Sequence, residues 1–256
     1  MSHDITSAAN ERIKWLVRLR ERKHRDATRM FPVEGERLYQ RALAAGLRPE
    51  VTFVTQPSPQ TVGEVITVAP DVLDKASYRR RSQGIIGVFP QLGTRLDDLD
   101  PGEEPLLLIM DDVEKPGNLG AMLRTAAAAG VRGVLTVGST VDVHNPNVLR
   151  ASTGAIFTVP IAVTRWEQAA PWLEGRRIRT VAATPGAATP YWDADLTGPL
   201  ALVIGAEDAG LSAAAAAAAD ALVTIPQSHE GVDSLNASVA AAVVLFEAVR
   251  QRVSTG

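Results

Sequence analysis

Between residues 105 and 252 short apolar runs alternate with helix-forming segments, and that rhythm leaves few folds open. The runs are PLLLIMDDV, GVLTVG, AIFTVPIAV, RIRTVAAT, PLALVIG and ALVTIP. Between them lie NLGAMLRTAAAAG, closed by Gly130, PNVLRAST, WEQAAPWLEG, interrupted by Pro171, and GLSAAAAAAAD. A last helix is expected over 234–252. Strands that are apolar almost throughout, rather than at every second residue, are buried on both faces. Alternating with helices, they imply a parallel sheet covered on each side. The alanine run at 213–219 is read as plain helix, because Ala has the highest helix propensity.

The first third is expected to form its own small α/β unit. Residues 10–28 place Ile13, Leu16, Val17 and Leu19 at helical spacing among charges. MFPVEG, EVTFVT, EVITVA and GIIGVFP follow as strands, ERLYQRALAAG and PDVLDKAS as helices, the first of them ended by Gly46. RLDDLDPGEEP is acidic, holds Pro and Gly and has no apolar period. The expected organisation is therefore a first domain over 1–95, a linker at 96–104 and a second domain over 105–256.

Charge divides along the same line. Residues 1–95 carry 16 Lys and Arg against 10 Asp and Glu, whereas 96–256 carry 10 against 19. The densest basic stretch runs from Glu11 to Arg29, and Arg79, Arg80 and Arg81 form a second cluster. Basic charge gathered at one end suits a polyanionic partner. The chain has no cysteine, which excludes disulfide and thiolate chemistry, and no apolar run of membrane-spanning length. MSHDITSAANERIKW lacks the apolar core of a secretory signal, so a cytoplasmic protein is expected.

In parallel α/β sheets ligands bind beyond the carboxyl ends of the strands. Three loops there are polar or glycine-bearing: DDVEKPGNLGAMLRTA, VIGAEDAGLS and IPQSHEGVDSLNAS. Taken singly each has an ordinary explanation. Asn118 would cap a helix, and Arg124 would be a surface residue. Gly205 and Gly210 would serve turns, Glu207 would favour a helix start, and Ser234 and Asn236 would cap the last helix. The sequence has no P-loop, no dinucleotide-binding glycine pattern after a strand and no nucleophile elbow. His3, His24, His144 and His229 show no metal-ligand spacing, so no metal is expected.

Taken together and in order, the pieces NLGAMLRTAAAAG, ALVIGAEDAGLS and IPQSHEGVDSLNASVAAAVVLFEAVRQR resemble the three motifs of the SpoU/TrmH family of RNA 2′-O-ribose methyltransferases, in the SPOUT superfamily. NPNVLRASTGAIFTVP also fits that pattern, so the resemblance spans 105–252. Residues 1–95, through ERKHRD and FPVEGERL, look like the small RNA-binding α/β domain, similar to a ribosomal protein, that many members carry in front. The resemblance implies a SPOUT-like parallel sheet with a C-terminal trefoil knot, S-adenosylmethionine as cofactor, and a homodimer formed through the C-terminal domain. It also implies methyl transfer to a ribose 2′-hydroxyl of RNA, with ribosomal RNA preferred because of the N-terminal domain. The alternatives are a tRNA 2′-O-methyltransferase, a non-catalytic RNA-binding protein that retains the knot, and an enzyme with a small-molecule substrate.

Carried over by position, the cofactor contacts implied are the backbone around Thr184, Gly205, Ile225 and Leu235. The catalytic set implied is Asn118, Arg124, Glu207, Ser234 and Asn236. The family's matching arginine has been proposed as a base. A guanidinium resists deprotonation, which suits Arg124 better to gripping a phosphate and steadying a developing alkoxide. Arg12, Lys14, Arg22, Lys23, Arg25 and Arg150 are the expected RNA contacts. The sequence also departs from the pattern. Ile225 to Leu235 is one residue longer than usual, begins IPQ and inserts His229 and Glu230. Ala206 replaces a common polar residue, and Asn147 stands where lysine is frequent.

Overall fold

The computed structural model describes residues 4–79, 81–138, 142–228 and 234–254. These divide into two compact units, one of 1–92 with 142–157, the other of 93–141 with 158–256.

The first unit is built on a four-stranded mixed sheet. Its strands are β1 (Met30–Glu34), β2 (Val51–Val54), β3 (Glu64–Thr67) and β4 (Ile85–Pro90), in the order β1-β4-β2-β3. β4 is antiparallel to both neighbours and β2 is parallel to β3. The expected N-terminal helix is two, α1 (Glu11–Arg18) and α2 (Arg22–Thr28), separated at Leu19. α1 is capped by the Asn10 side chain, and Ile13, Leu16 and Leu19 bury against Val72, Leu73 and Phe53. α3 (Glu36–Ala44) ends as Gly46 predicts, its last carbonyls taking bonds from Gly46 and Leu47. α4 (Pro70–Ala76) opens with proline at its first position.

The second unit holds a seven-stranded sheet whose paired neighbours are all parallel. β5 (Leu106–Asp111), β6 (Gly133–Val137), β7 (Ile161–Thr164), β8 (Arg179–Ala183), β9 (Thr189–Pro190), β10 (Leu200–Ile204) and β11 (Ala221–Thr224) lie in the order β7-β6-β5-β10-β8-β11-β9. Every residue of β5, β6 and β10 is buried, as expected for strands covered on both faces. β10 therefore enters between β5 and β8, although β5 leads directly into β6. That reversal of strand order sets the ends of β5, β10, β8 and β11 side by side.

The connections are α5 (Pro116–Ala128), α6 (Pro146–Ser152), α7 (Trp166–Glu174), α8 (Ala213–Ala218) and the final α9 (Ala237–Ser254), which packs on α5 and β10. No helix among the described residues is long and apolar enough to cross a membrane.

Several local expectations are corrected. AIFTVPIAV is not one strand. Thr153 and Gly154 turn the chain at φ 51° and 96°, Ala155–Phe157 forms a 3₁₀ turn, and only Ile161–Thr164 joins the sheet. α7 runs through Pro171, held by burial of Trp166, Ala169, Trp172 and Leu173. Leu96–Asp98 is a 3₁₀ turn, and Leu99 packs in the core of the second unit against Gly133. Within the first unit, α6 packs on β1 and Phe157 lies beside Phe31, so 142–157 is grouped with residues 1–92.

Candidate active site

At the carboxyl end of the second unit's sheet, loops leaving β8, β10 and β11 surround a cavity of about 520 Å³. Thr184, Gly205, Ile225 and Leu235 all line it, together with Glu207 and Ser234. Those four positions lie far apart in sequence, and it is the insertion of β10 between β5 and β8 that gathers them.

The loop after β10 forms one wall. Ala206 and Gly210 exchange two backbone hydrogen bonds, each 2.9 Å, which close a tight turn carrying Glu207 at its tip. Gly205 must be glycine for reasons of space. A Cβ there would sit 2.3 Å from the Gly210 carbonyl oxygen. The far end of this loop is tied to Asp111, the fully buried last residue of β5. Its carboxylate accepts from the Ser212 N–H at 2.7 Å, the Ser212 hydroxyl at 3.0 Å and the Trp166 indole N–H at 2.7 Å. A buried carboxylate needs such donors to offset its lost hydration. The Ser212 hydroxyl in turn accepts from Ala215 N–H and caps α8.

A polar chain links three of the loops. Lys115 Nζ donates to Glu207 Oε2 at 2.9 Å, and Asn118 Nδ2 donates to the same oxygen at 3.0 Å. Asn236 Nδ2 donates to Asn118 Oδ1 at 3.0 Å. Asn236 Oδ1 accepts from the Ser238 N–H at 3.0 Å and so caps α9. Capping and site assembly are thus one arrangement, with opposite ends of a single amide doing each. The Lys115 hydrogen bond, followed by that of Asn118, holds the Glu207 carboxyl below its ordinary value, and the same bond to Glu207 raises Lys115. Asp112, beside the chain, is shifted the other way, first by burial and then by the neighbouring Asp111 and Glu114 charges.

Asn118 is not a helix cap. α5 starts at Pro116 behind Lys115, which puts Asn118 in its first turn, aimed at Glu207. Ser234, exposed, lies on the cavity wall. Arg124 is not part of the chain. It stands exposed six residues further along α5, with no hydrogen bond or ion pair among the described residues. His229, Glu230 and Arg80 lie outside the described residues. Among the described residues no His, Cys, Asp and Glu group could hold a metal ion.

The expected RNA contacts separate into kinds. Arg12 pairs with Glu64, Lys14 with Glu11 and Arg22 with Asp26, all at the surface. Lys23 and Arg150 are exposed. Arg25 is corrected: it is 1% exposed, donates to the Leu19 and Arg20 carbonyls and pairs with Asp142, so it stabilises the first unit from within. The residues missed in the sequence are Asp111 and Lys115. For Asp111 there was a signal, the first of two consecutive acids closing the otherwise apolar run LLLIM. Lys115 had none, since one lysine in a polar loop carries no pattern.

The sequence model of the SpoU rRNA methylase family matches residues 105–246, which span every loop of this site. The chain belongs to that family. Residues 10–87 match a second model, described as an MRM3-like substrate binding domain. Among relatives of this SpoU family member, the 23S rRNA (guanosine-2′-O-)-methyltransferase RlmB of Ralstonia nicotianae is 41% identical over 177 residues, 67% of this chain and 71% of that one. Among solved structures, the AdoMet-bound rRNA methyltransferase of Sinorhizobium meliloti is 34% identical with a TM-score of 0.88, covering 96% of this chain and 97% of its own. The SpoU methyltransferase AviRb of Streptomyces viridochromogenes, in complex with AdoMet, is 30% identical with a TM-score of 0.89, covering 96% and 99%.

Proposed function

We propose that this SpoU family member transfers a methyl group from S-adenosylmethionine to a ribose 2′-hydroxyl of RNA, with ribosomal RNA as its substrate. The observation that carries the reading is the cavity whose wall unites Thr184, Gly205, Ile225 and Leu235 beside the Lys115–Glu207–Asn118–Asn236 chain. Relatives named for 23S rRNA and for bound AdoMet support it, as does the substrate-binding match over 10–87.

The cavity fits such a cofactor on its own evidence. Its volume lies in the range of small-ligand sites, about 300–1,000 Å³. Its walls come mostly from loop residues, whose backbone groups can read the edge of an adenine, and Gly205 leaves no side chain between its backbone and the turn at Gly210. S-adenosylmethionine supplies an electrophilic methyl group on a sulfonium. Everything else falls to the chain. The turn at 206–210 and the Asp111 anchor fix the cavity wall, and Asn118 and Asn236 hold the β5 and β11 loops at a set distance. Positioning of this kind supplies most of the advantage in a single in-line displacement. Arg124, exposed and without a hydrogen bond or ion pair among the described residues, is suited to grip a phosphate of the target strand.

The trefoil knot is part of the proposal. β10 enters between β5 and β8, and the chain then passes β8 to form β11, the strand order that supports threading in this segment. So is a homodimer. Val239, Phe246 and Val253 recur every seven residues along α9 and are 46%, 48% and 76% exposed, a stripe that a second copy of the same helix face could cover. The reading places the enzyme in the cytoplasm, with its RNA.

The test is transfer of radiolabelled methyl from S-adenosylmethionine to unmodified rRNA and tRNA, with the product mapped by nuclease digestion. Label in one ribose of rRNA, abolished by Arg124→Ala, is expected. Label confined to tRNA would replace the substrate. Absence of both label and cofactor binding would leave an RNA-binding protein without turnover.

A further inference from the structure

We propose that Tyr78, flanked by Arg79 and Arg150, is a stacking platform for an unpaired base of single-stranded RNA on the first unit. This rests on the RNA-directed function above and names where that unit takes hold.

Tyr78 is 38% exposed, among the few large apolar side chains on the surface of this unit. An exposed aromatic is usually mobile, but this one is held at both ends. Asn147 Nδ2 of α6 donates to its hydroxyl at 3.0 Å, which fixes where the ring stands. Its own N–H donates to Glu34 Oε1, while Ser77 Oγ donates to Glu34 Oε2 at 2.9 Å and accepts from the Arg79 N–H at 3.0 Å. Beneath the same turn, Arg20 donates to the carbonyls of Lys75 and Ser77. Both oxygens of the nearby carboxylate are therefore spoken for by the turn itself. A ring presented in one orientation loses little freedom when a base settles on it, and stacking of this kind accepts any base.

The charge around it is of the complementary sign and is available. Arg79 follows Tyr78 directly. Arg150 lies one helical turn beyond Asn147 and so projects from the same side of α6. Neither guanidinium has a hydrogen bond or ion pair among the described residues. In the basic stretch on α1 and α2, Arg12, Lys14 and Arg22 are already paired with carboxylates and Arg25 is buried, while Arg18, Lys23 and Arg29 are exposed. A phosphate arriving at Arg12, Lys14 or Arg22 must displace an existing partner; one arriving beside Tyr78 need not. An aromatic face between free arginines is how single strands are commonly gripped.

The experiment is fluorescence anisotropy of the full chain with a labelled single-stranded oligoribonucleotide of mixed sequence, over a series of salt concentrations, beside a duplex of the same length. Tyr78→Ala is expected to weaken single-strand binding about 10-fold and duplex binding little. Tyr78→Phe keeps the ring and is expected to stay within about 3-fold. The Arg79→Ala, Arg150→Ala double variant should flatten the slope of log K against log salt by about 1.4, at ~0.7 per phosphate. Thermal melting and S-adenosylmethionine binding report that both units remain folded. Single-strand affinity unchanged in Tyr78→Ala would overturn the platform, and so would an equal loss in Tyr78→Phe, which would assign the effect to the Asn147 bond. A wild-type chain that binds neither RNA would overturn the RNA reading and the platform together.

Discussion

Two residues set how far the cavity can be altered. Gly205 has a carbonyl oxygen where its Cβ would be, so Gly205→Ala must push the 206–210 turn outward and break its paired bonds. We expect cofactor affinity to fall at least about 10-fold with about 1–3 kcal/mol lost in stability, measured by calorimetric titration and melting. Glu207 gives a pH signature. Its carboxyl is held below the ordinary 4.5, first by Lys115 and then by Asn118. A depressed carboxylate supports the loop junction above 4.5 and loses that support only as pH falls through the lower folded value. Lys115→Ala removes the larger cause, so the acid limb of cofactor binding should move up toward 4.5. Cofactor titrations at a series of acidic pH values check this, and an unmoved limb would remove Lys115 from the junction.

At the scale of elements, the segment 142–157 is tied into the first unit by a buried histidine. His144 accepts from the Leu92 N–H at 3.0 Å and lies against Phe31. Burial, then the Arg25 charge, lowers it from 6.5 to about 4. Because the unfolded chain binds the proton first, stability is full above 6.5 and declines as pH falls from 6.5 toward 4, by about 3 kcal/mol at most. His144→Gln should flatten that decline in melting curves of the first unit, whereas a variant with the wild-type slope would show that other groups govern it. The two-helix start of the chain is a second lesson at this scale. The apolar spacing of residues 13–19 predicted a helix correctly, but a break after Leu19 lets Arg25 turn inward to the carbonyls of Leu19 and Arg20.

For the whole molecule, α9 carries both the inner packing on α5 and β10 and the exposed stripe of Val239, Phe246 and Val253. If that stripe is covered by a second copy, Phe246→Glu places two like charges across a two-fold axis and desolvates them. Sedimentation equilibrium should then show a dimer for the wild type and a monomer for the variant, with the monomer's spectrum still folded. A wild-type monomer would end the dimer proposal.

The sequence by itself determined the class of fold and the identity of the loops that matter. Continuous apolar runs such as LLLIM and LALVI can only be buried on both faces, so a parallel sheet and ligand loops at its carboxyl end follow from composition and order alone. The motif residues Asn118, Glu207 and Asn236 were legible because their types and order match a family. What only the tertiary structure decided is adjacency. Nothing in a linear pattern says that β10 inserts between β5 and β8, because strand order is fixed by packing among elements distant in sequence. The same holds for polar partners. Asp111 satisfies Ser212 and Trp166, and Asn236 caps α9 while bonding Asn118, because buried donors and acceptors must find one another in space. Arg25 makes the point in reverse: in sequence it is one more cation in a basic stretch, and only the folded chain shows it buried on carbonyls and Asp142, beyond the reach of any phosphate.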